Sequence, residues 1–216
     1  MHHLLVSAVA VITWGISAFA WAETWEIDPA HTSAHFAVRH LMVSTVRGDF
    51  GKVSGTATID EQDLTKSSVE ATIDAASINT RNEKRDAHLR NADFLDVEKY
   101  PTITFKSKKV EKVGDSQFTV TGDLTLHGVT KEVVLEVEGS PVPIKDPSGK
   151  TRVGGQATTK INRTDFDIVY NAPLGTGGVV IGEEVSITID IEMTKKEAAA
   201  AATSAGTTEA NEHEYD

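Results

Sequence analysis

From Glu23 to about Thr194 the chain alternates apolar and polar residues with a period of two, the pattern of strands with one dry face. Ala34, Phe36 and Val38 alternate with His35, Ala37 and Arg39. Val46, Gly48 and Phe50 share one parity, and after Gly51 the apolar parity changes to Val53, Gly55, Ala57 and Ile59. A glycine at such a switch predicts a bend or bulge, the device barrels use to turn corners. Further runs are Val69–Ala71–Ile73, Ile103–Phe105, Phe118–Val120, Leu124–Leu126, Val133–Leu135–Val137, Ala157–Thr159–Ile161 and Val185 to Met193. Thr, Asp, Glu and Lys occupy the opposite faces, as in an antiparallel sheet with one wet side.

Turn chemistry separates the runs. "VGDSQ" at 113–117 and "LHGVT" at 126–130 predict hairpin connections, and His127-Gly128 is read as turn chemistry. "SPVPIKDPSGK" at 140–150 predicts a longer Pro/Gly loop. One segment departs from the pattern: Glu83 to Asn91 reads as a short helix with Asn82 as its cap, a helical excursion over about 82–91, and Pro101 ends the connection. About eight strands in one antiparallel domain favour a closed barrel, because closure removes exposed edges. An open sandwich is the competing arrangement. A barrel of this size either fills with side chains or holds one small ligand.

"HTSAHFAVRHL" at 31–41 carries three histidines. Read as a straight strand, His31 and His35 share a face but lie about 13 Å apart, too far to bind one zinc, and His40 points the other way. This stretch therefore predicts no metal site. The 216-residue chain has no cysteine, which excludes disulfides and thiol or Cys-zinc chemistry. G-x-S-x-G, P-loop and G-x-G-x-x-G patterns are absent, so no catalytic residue or cofactor is assigned.

The ends differ from the middle. Residues 1–22 form an apolar run closing on Ala20-Trp21-Ala22, which reads as a signal peptide cleaved after Ala22. The competing reading is an uncleaved membrane anchor, since the run is long enough to span. Either places the folded domain, 23–194, outside the cytoplasm. Residues 195–216 read as a disordered acidic tail. That tail has two positive and five negative groups, leaving −8 of the formal −11 for the rest. The balance argues against nucleic acid and gives no support to attachment to anionic lipid through net charge.

Several stretches, in order, carry a resemblance: "WEIDPAHTSAHFAVRHLMVSTVRGDFGKVSGT" at 25–56, "SINTRNEKRDAHLRNADFLDVEKYPTITFKS" at 77–107, "TGDLTLHGVTKEV" at 121–133, "KINRTDFDI" at 160–168 and "IGEEVSITIDIEM" at 181–193. Together they resemble the YceI-like family of polyisoprenoid-binding, lipocalin-like periplasmic proteins. The family pattern usually reads "NRxDFG"; here Asp167 stands in place of the glycine. The resemblance implies an all-β fold, an elongated eight-stranded antiparallel barrel with a long apolar cavity. It also implies a polyisoprenoid or other long-chain lipid inside, often in a homodimer. A periplasmic carrier of such a lipid is expected to make transient membrane contact for lipid exchange.

On that reading the apolar lining is Phe36, Val38, Phe50, Ile73, Phe105, Leu124, Leu126 and Ile161. Arg81, Arg85 and His88, in or beside the helix, together with Arg163, are candidates for a lipid head group. The bland alternatives are a solvated charged face on the helix and, at Arg163, a local ion pair with Asp165 or Asp167 or a turn that sets strand register. The rival functional readings are a structural or partner-binding β-domain with a filled core and no ligand, and a His-dependent metalloprotein.

Overall fold

The structure, a computed structural model, describes residues 22–173 and 178–197. The signal-peptide reading of residues 1–21 and the tail reading of 198–216 lie outside the described residues. Eleven strands follow in chain order: β1 (Glu23–Ile27), β2 (Ser33–His40), β3 (Ser44–Phe50), β4 (Val53–Ile59), β5 (Ser68–Asp74), β6 (Ile78–Asn79), β7 (Thr102–Lys112), β8 (Gln117–Leu126), β9 (Val129–Lys145), β10 (Thr151–Asn162) and β11 (Ile181–Lys195). Helix α1 (Glu83–Arg90) lies between β6 and β7. Eight strands close a ring, β1-β4-β5-β7-β8-β9-β10-β11 and back to β1, with every pairing antiparallel.

The long strand β11 makes closure possible. Its C-terminal residues Met193–Lys195 pair with β1, and its stretch Ile181–Asp190 pairs with β2. β1 and β2 are thus two halves of one bent strand. β4 and β3 pair with those halves in turn, and the bend between them falls at Gly51-Lys52, where the apolar parity changes. Between β1 and β2 the carboxylate of Asp28 accepts the N–H of Ala30 at 2.9 Å, and its carbonyl accepts that of His31 at 3.2 Å. This turn removes His31 from the strand, so its expected pairing with His35 on one strand face is corrected.

Both short hairpins form as expected. His127 and Gly128 have φ of 52° and 76°, the left-handed pair that a tight two-residue hairpin needs. The 140–150 segment differs from the expected loop. β9 runs on to Lys145, and the turn spans only Asp146–Lys150. The ladder skips from Gly154↔Ser140 to Arg152↔Ile144, so Pro141 and Pro143, which lack an N–H, fall inside a bulge where no ladder bond is needed.

Helix α1 is nearly all polar, EKRDAHLR, and hydrogen bonds fix it in place. The Asn82 side chain caps it by accepting the Arg85 N–H at 3.0 Å. Buried Asp86 accepts the N–H of Thr80 at 2.8 Å and its hydroxyl at 2.5 Å. Arg90 donates to the carbonyls of Ala76 and Ile78 at 2.8 and 2.7 Å. Just beyond the helix, Phe94 and Leu95 are buried with Ile78, Ile103, Leu126, Phe166 and Ile168, a packed cluster beside this end of the barrel.

The residue in the unusual Asp167 position has φ 59° and ψ 17°, ending a 3₁₀ turn over Arg163–Phe166. A left-handed residue costs a side chain roughly 1–2 kcal/mol, least for Asn and Asp and nothing for Gly. The family's glycine preference there is thereby explained, and Asp is the tolerated exception. Asp167→Gly is expected to leave stability unchanged or raise it by up to about 1 kcal/mol, while Asp167→Val loses about 1–2 kcal/mol. Urea unfolding of the two variants checks both signs.

Candidate functional site

The inward faces of the strands enclose a cavity of about 940 Å³. Its wall runs from Val110, Phe118, Gly139 and Val142 at one end to His40, Arg85, His88, Tyr170 and Val180 at the α1 end. That volume lies near the top of the roughly 300–1,000 Å³ range of small-molecule sites. Inward-facing Val185, Ile187, Ile189 and Ile191 are only half-buried, although they point to the barrel axis. In a filled core they would be covered by opposing side chains; here they face open internal space.

All eight residues expected to form the apolar lining stand on this wall: Phe36, Val38, Phe50, Ile73, Phe105, Leu124, Leu126 and Ile161. The same period carries the lining further than those eight, to Ile103, Phe118, Val120 and the β11 aliphatics. Phe36 and Phe50 meet with ring centroids 5.8 Å apart. Phe36 lies directly over Gly48: a Cβ at Gly48 would come within 2.5 Å of the ring, so a larger residue there would have to push the ring aside. Trp25 has no accessible surface and lies under the ammonium of Lys195, 5.8 Å from its ring.

The four basic head-group candidates divide. Arg81 has φ 62° and is exposed, away from the cavity wall. Arg85, His88 and Arg163 are on the wall. Arg85 donates to the hydroxyl and carbonyl of Thr80 at 2.7 and 2.8 Å. His88 bonds Asp93 at 2.9 Å and packs edge-on against Phe94 and Tyr170, with centroids 4.9 and 5.1 Å away. Tyr170 was not foreseen, because it lies in irregular backbone where no periodicity marks it.

Arg163 is only 5 % exposed. Its partners are three main-chain carbonyls, Ile168 at 2.5 Å, Gly182 at 3.0 Å and Ile181 at 3.3 Å, not the expected carboxylates of Asp165 or Asp167. Burial pushes its guanidinium below the ordinary value, and the Glu183 charge opposes that shift. It ties the 3₁₀ turn after β10 to the start of β11, so the register role is the one its contacts perform.

Among the described residues, Asp28, His31 and Glu192 have oxygen and nitrogen atoms close enough together for a metal. A cation already stands among them. The Arg152 guanidinium bonds Asp28 at 2.6 Å, Asp146 at 2.6 Å and Glu192. The network ties the β1–β2 turn, the β9–β10 turn and β11 together. Arg152 and then His31 hold Asp28 well below the usual carboxylate range. Ser148, then Arg152, do the same for Asp146.

Three comparisons fit this geometry. A closed antiparallel barrel with one helix and an apolar interior defines the lipocalin-like class of binding folds. Residues 25–193 match the YceI-like domain, and the chain belongs to that family. A UPF0312 protein of Vibrio parahaemolyticus is 39% identical over 170 residues, covering 78% of this chain and 89% of its own. The crystal structure of the Campylobacter jejuni YCEI protein is 33% identical with a TM-score of 0.63, covering 74% of this chain and 90% of that one. A polyisoprenoid binding domain from Saccharophagus degradans, implicated in plant cell wall breakdown, shares the fold with a TM-score of 0.59 at 17% identity, over 80% and 98% of the two chains.

The Arg152 network generates a pH prediction. The native values of Asp28 and Asp146 lie below the ~3.9 of a free aspartate, so its stabilisation is complete above that pH. It is lost as the pH falls through the lowered native values. Arg152→Met is therefore expected to lower the thermal midpoint at pH 7. The gap to the parent should narrow in strong acid, where the carboxylates no longer need a cation. Thermal melts across pH on both proteins measure this.

Proposed function

We propose that this protein is a periplasmic carrier that encloses a polyisoprenoid or similar long-chain lipid in its barrel and performs no chemistry on it. The observation that supports the reading is the cavity itself: about 940 Å³ of space walled by aliphatic and aromatic side chains. Cavities with apolar walls take apolar guests. A hydrocarbon chain gains about 0.8 kcal/mol per CH₂ removed from water, so even ten carbons contribute several kcal/mol. Recognition of this sort needs shape and apolarity more than polar contacts. Membership of the YceI-like family, and a fold shared with a domain described as polyisoprenoid binding, support the same cargo class.

The polar groups at the α1 end fit an amphiphile with its head group there. Arg85 and His88 are the candidates for that contact, because they stand at the wall on a hydrogen-bonded helix. Arg163 is a weaker candidate, since three carbonyls already take its N–H groups. A periplasmic location, the cleavable leader and a homodimer belong to the same proposal and rest on the leader-like segment and the family resemblance.

The test is Leu124→Trp, which puts an indole into the cavity space from a half-buried position on its wall. Uptake of the C20 prenol geranylgeraniol, followed by fluorescence competition, is expected to fall at least about tenfold, the scale of one lost hydrophobic side-chain contact. Circular dichroism should remain that of the parent. A folded variant that takes up the prenol as well as the parent would overturn the assigned lining.

A further inference from the structure

The loop between β2 and β3 is built against its own conformational preferences. Leu41 and Met42 both have positive φ, 52° and 59°, and the Val43 N–H bonds the His40 carbonyl at 3.1 Å. Tight turns with two left-handed central residues favour Asn-Gly or similar pairs, and bulky side chains there are strained. The geometry is enforced. Arg39 donates to the Met42 carbonyl at 2.6 Å and to the Thr45 hydroxyl at 3.0 Å, and the Leu41 N–H bonds the Val180 carbonyl at 2.7 Å.

What this turn presents is apolar and in water. Met42 is 56 % exposed and Val43 79 %, and Leu41 is exposed as well. Its anchors belong to the cavity: His40 and Val180 are on the wall at the α1 end. Exposed Val169 and Tyr170 lie in the neighbouring segment, which is bonded to the same stretch through Val180 N–H to the Ala172 carbonyl and Asn171 to the Ile181 carbonyl. Exposed apolar residues thus stand both on the hairpin and on the bonded segment at the rim of the cavity.

Charge at the hairpin runs opposite to the charge of the chain. "RHLMVSTVR", 39–47, has two arginines and a histidine with no carboxylate, in a protein of formal charge −11. Neither arginine has a carboxylate partner among the described residues. Of the two acids at the base of β11, Glu184 is paired with Lys160 at 2.9 Å and Glu183 lies near Asn162. Apolar residues flanked by cations are the composition that seats a segment at an anionic bilayer interface.

We propose that the Leu41–Val43 hairpin docks this protein on an anionic lipid surface, holding the α1 end of the cavity against the bilayer where cargo is exchanged. The exchange role rests on the carrier reading above; the docking itself does not. The choice of a membrane over a protein partner rests on this charge complementarity and on three consecutive exposed apolar side chains at a hairpin tip.

The experiment uses the variant Met42→Gly/Val43→Thr, which deletes the exposed apolar tip while relieving the left-handed strain, so its thermal midpoint should equal or exceed the parent's. Flotation is measured with vesicles of phosphatidylcholine alone and of phosphatidylcholine with phosphatidylglycerol. The parent is expected to float with the anionic vesicles, and the variant at least about tenfold less. Equal flotation of parent and variant, no flotation of the parent, or equal flotation on both compositions overturns the proposal. A parent that dimerises through the tip by sedimentation velocity, without binding vesicles, also overturns it and makes the tip a self-association surface. Binding of N-phenyl-1-naphthylamine in the cavity, measured alongside, reports on the carrier reading separately: its absence from both proteins counts against the carrier and leaves the flotation result standing.

Discussion

Ring closure imposes the constraint on which the rest of the structure depends. Once eight strands close, strand number, tilt and stagger set the radius. The side chains that point inward must then either meet across the middle or leave a void. Here much of the wall is Val, Ile, Ala and Thr, with Gly139, Gly154 and Gly155 at one end. These residues are short, and the larger rings pair with neighbours on the same wall, as Phe36 does with Phe50. The interior stays open, and its surface is almost wholly hydrocarbon. The same residues that drive folding by leaving water thus retain unburied surface that a guest would cover.

A hollow core puts the burden of rigidity on the ends. At the α1 end the barrel is braced by a packed cluster around Phe94, Phe166 and Ile168 and by a helix fastened with Asp86 and Arg90. Arg163 ties the start of β11 to the turn after β10 through main-chain carbonyls. Along β11, Arg152 binds three carboxylates from three segments. These polar fastenings are local, short and largely withdrawn from solvent, where charge-assisted bonds count for more than on an open surface. They hold the ring without placing bulk in its interior.

The strands and their inward faces were legible because period-two alternation is a direct projection of pleat geometry, and Phe36, Phe105 and Leu124 all fall where that projection puts them. The helix was legible through Asn82, whose side chain has one local partner to find. Features set by long-range pairing were not. Nothing local announces that β11 serves both β1 and β2, or that β9 continues past two prolines because the ladder skips there. His31 left the strand because Asp28 bonds its own backbone two residues on, a turn that apolar periodicity does not register. Arg163 beside Asp165 and Asp167 read as an ion pair; burial and nearby carbonyls decided otherwise. Of the candidate polar site, sequence proximity to the helix grouped Arg81 with Arg85 and His88, but the left-handed backbone at Arg81 turns that residue away from the wall.

The central claim is that the interior is a hydrocarbon-binding space and not an accident of loose packing. Native mass spectrometry of the protein, purified without detergent, measures this most directly. The account predicts one adduct per barrel, released by organic solvent and identified as a long-chain lipid. A bare polypeptide mass in every preparation, unchanged after incubation with long-chain prenols, would contradict it.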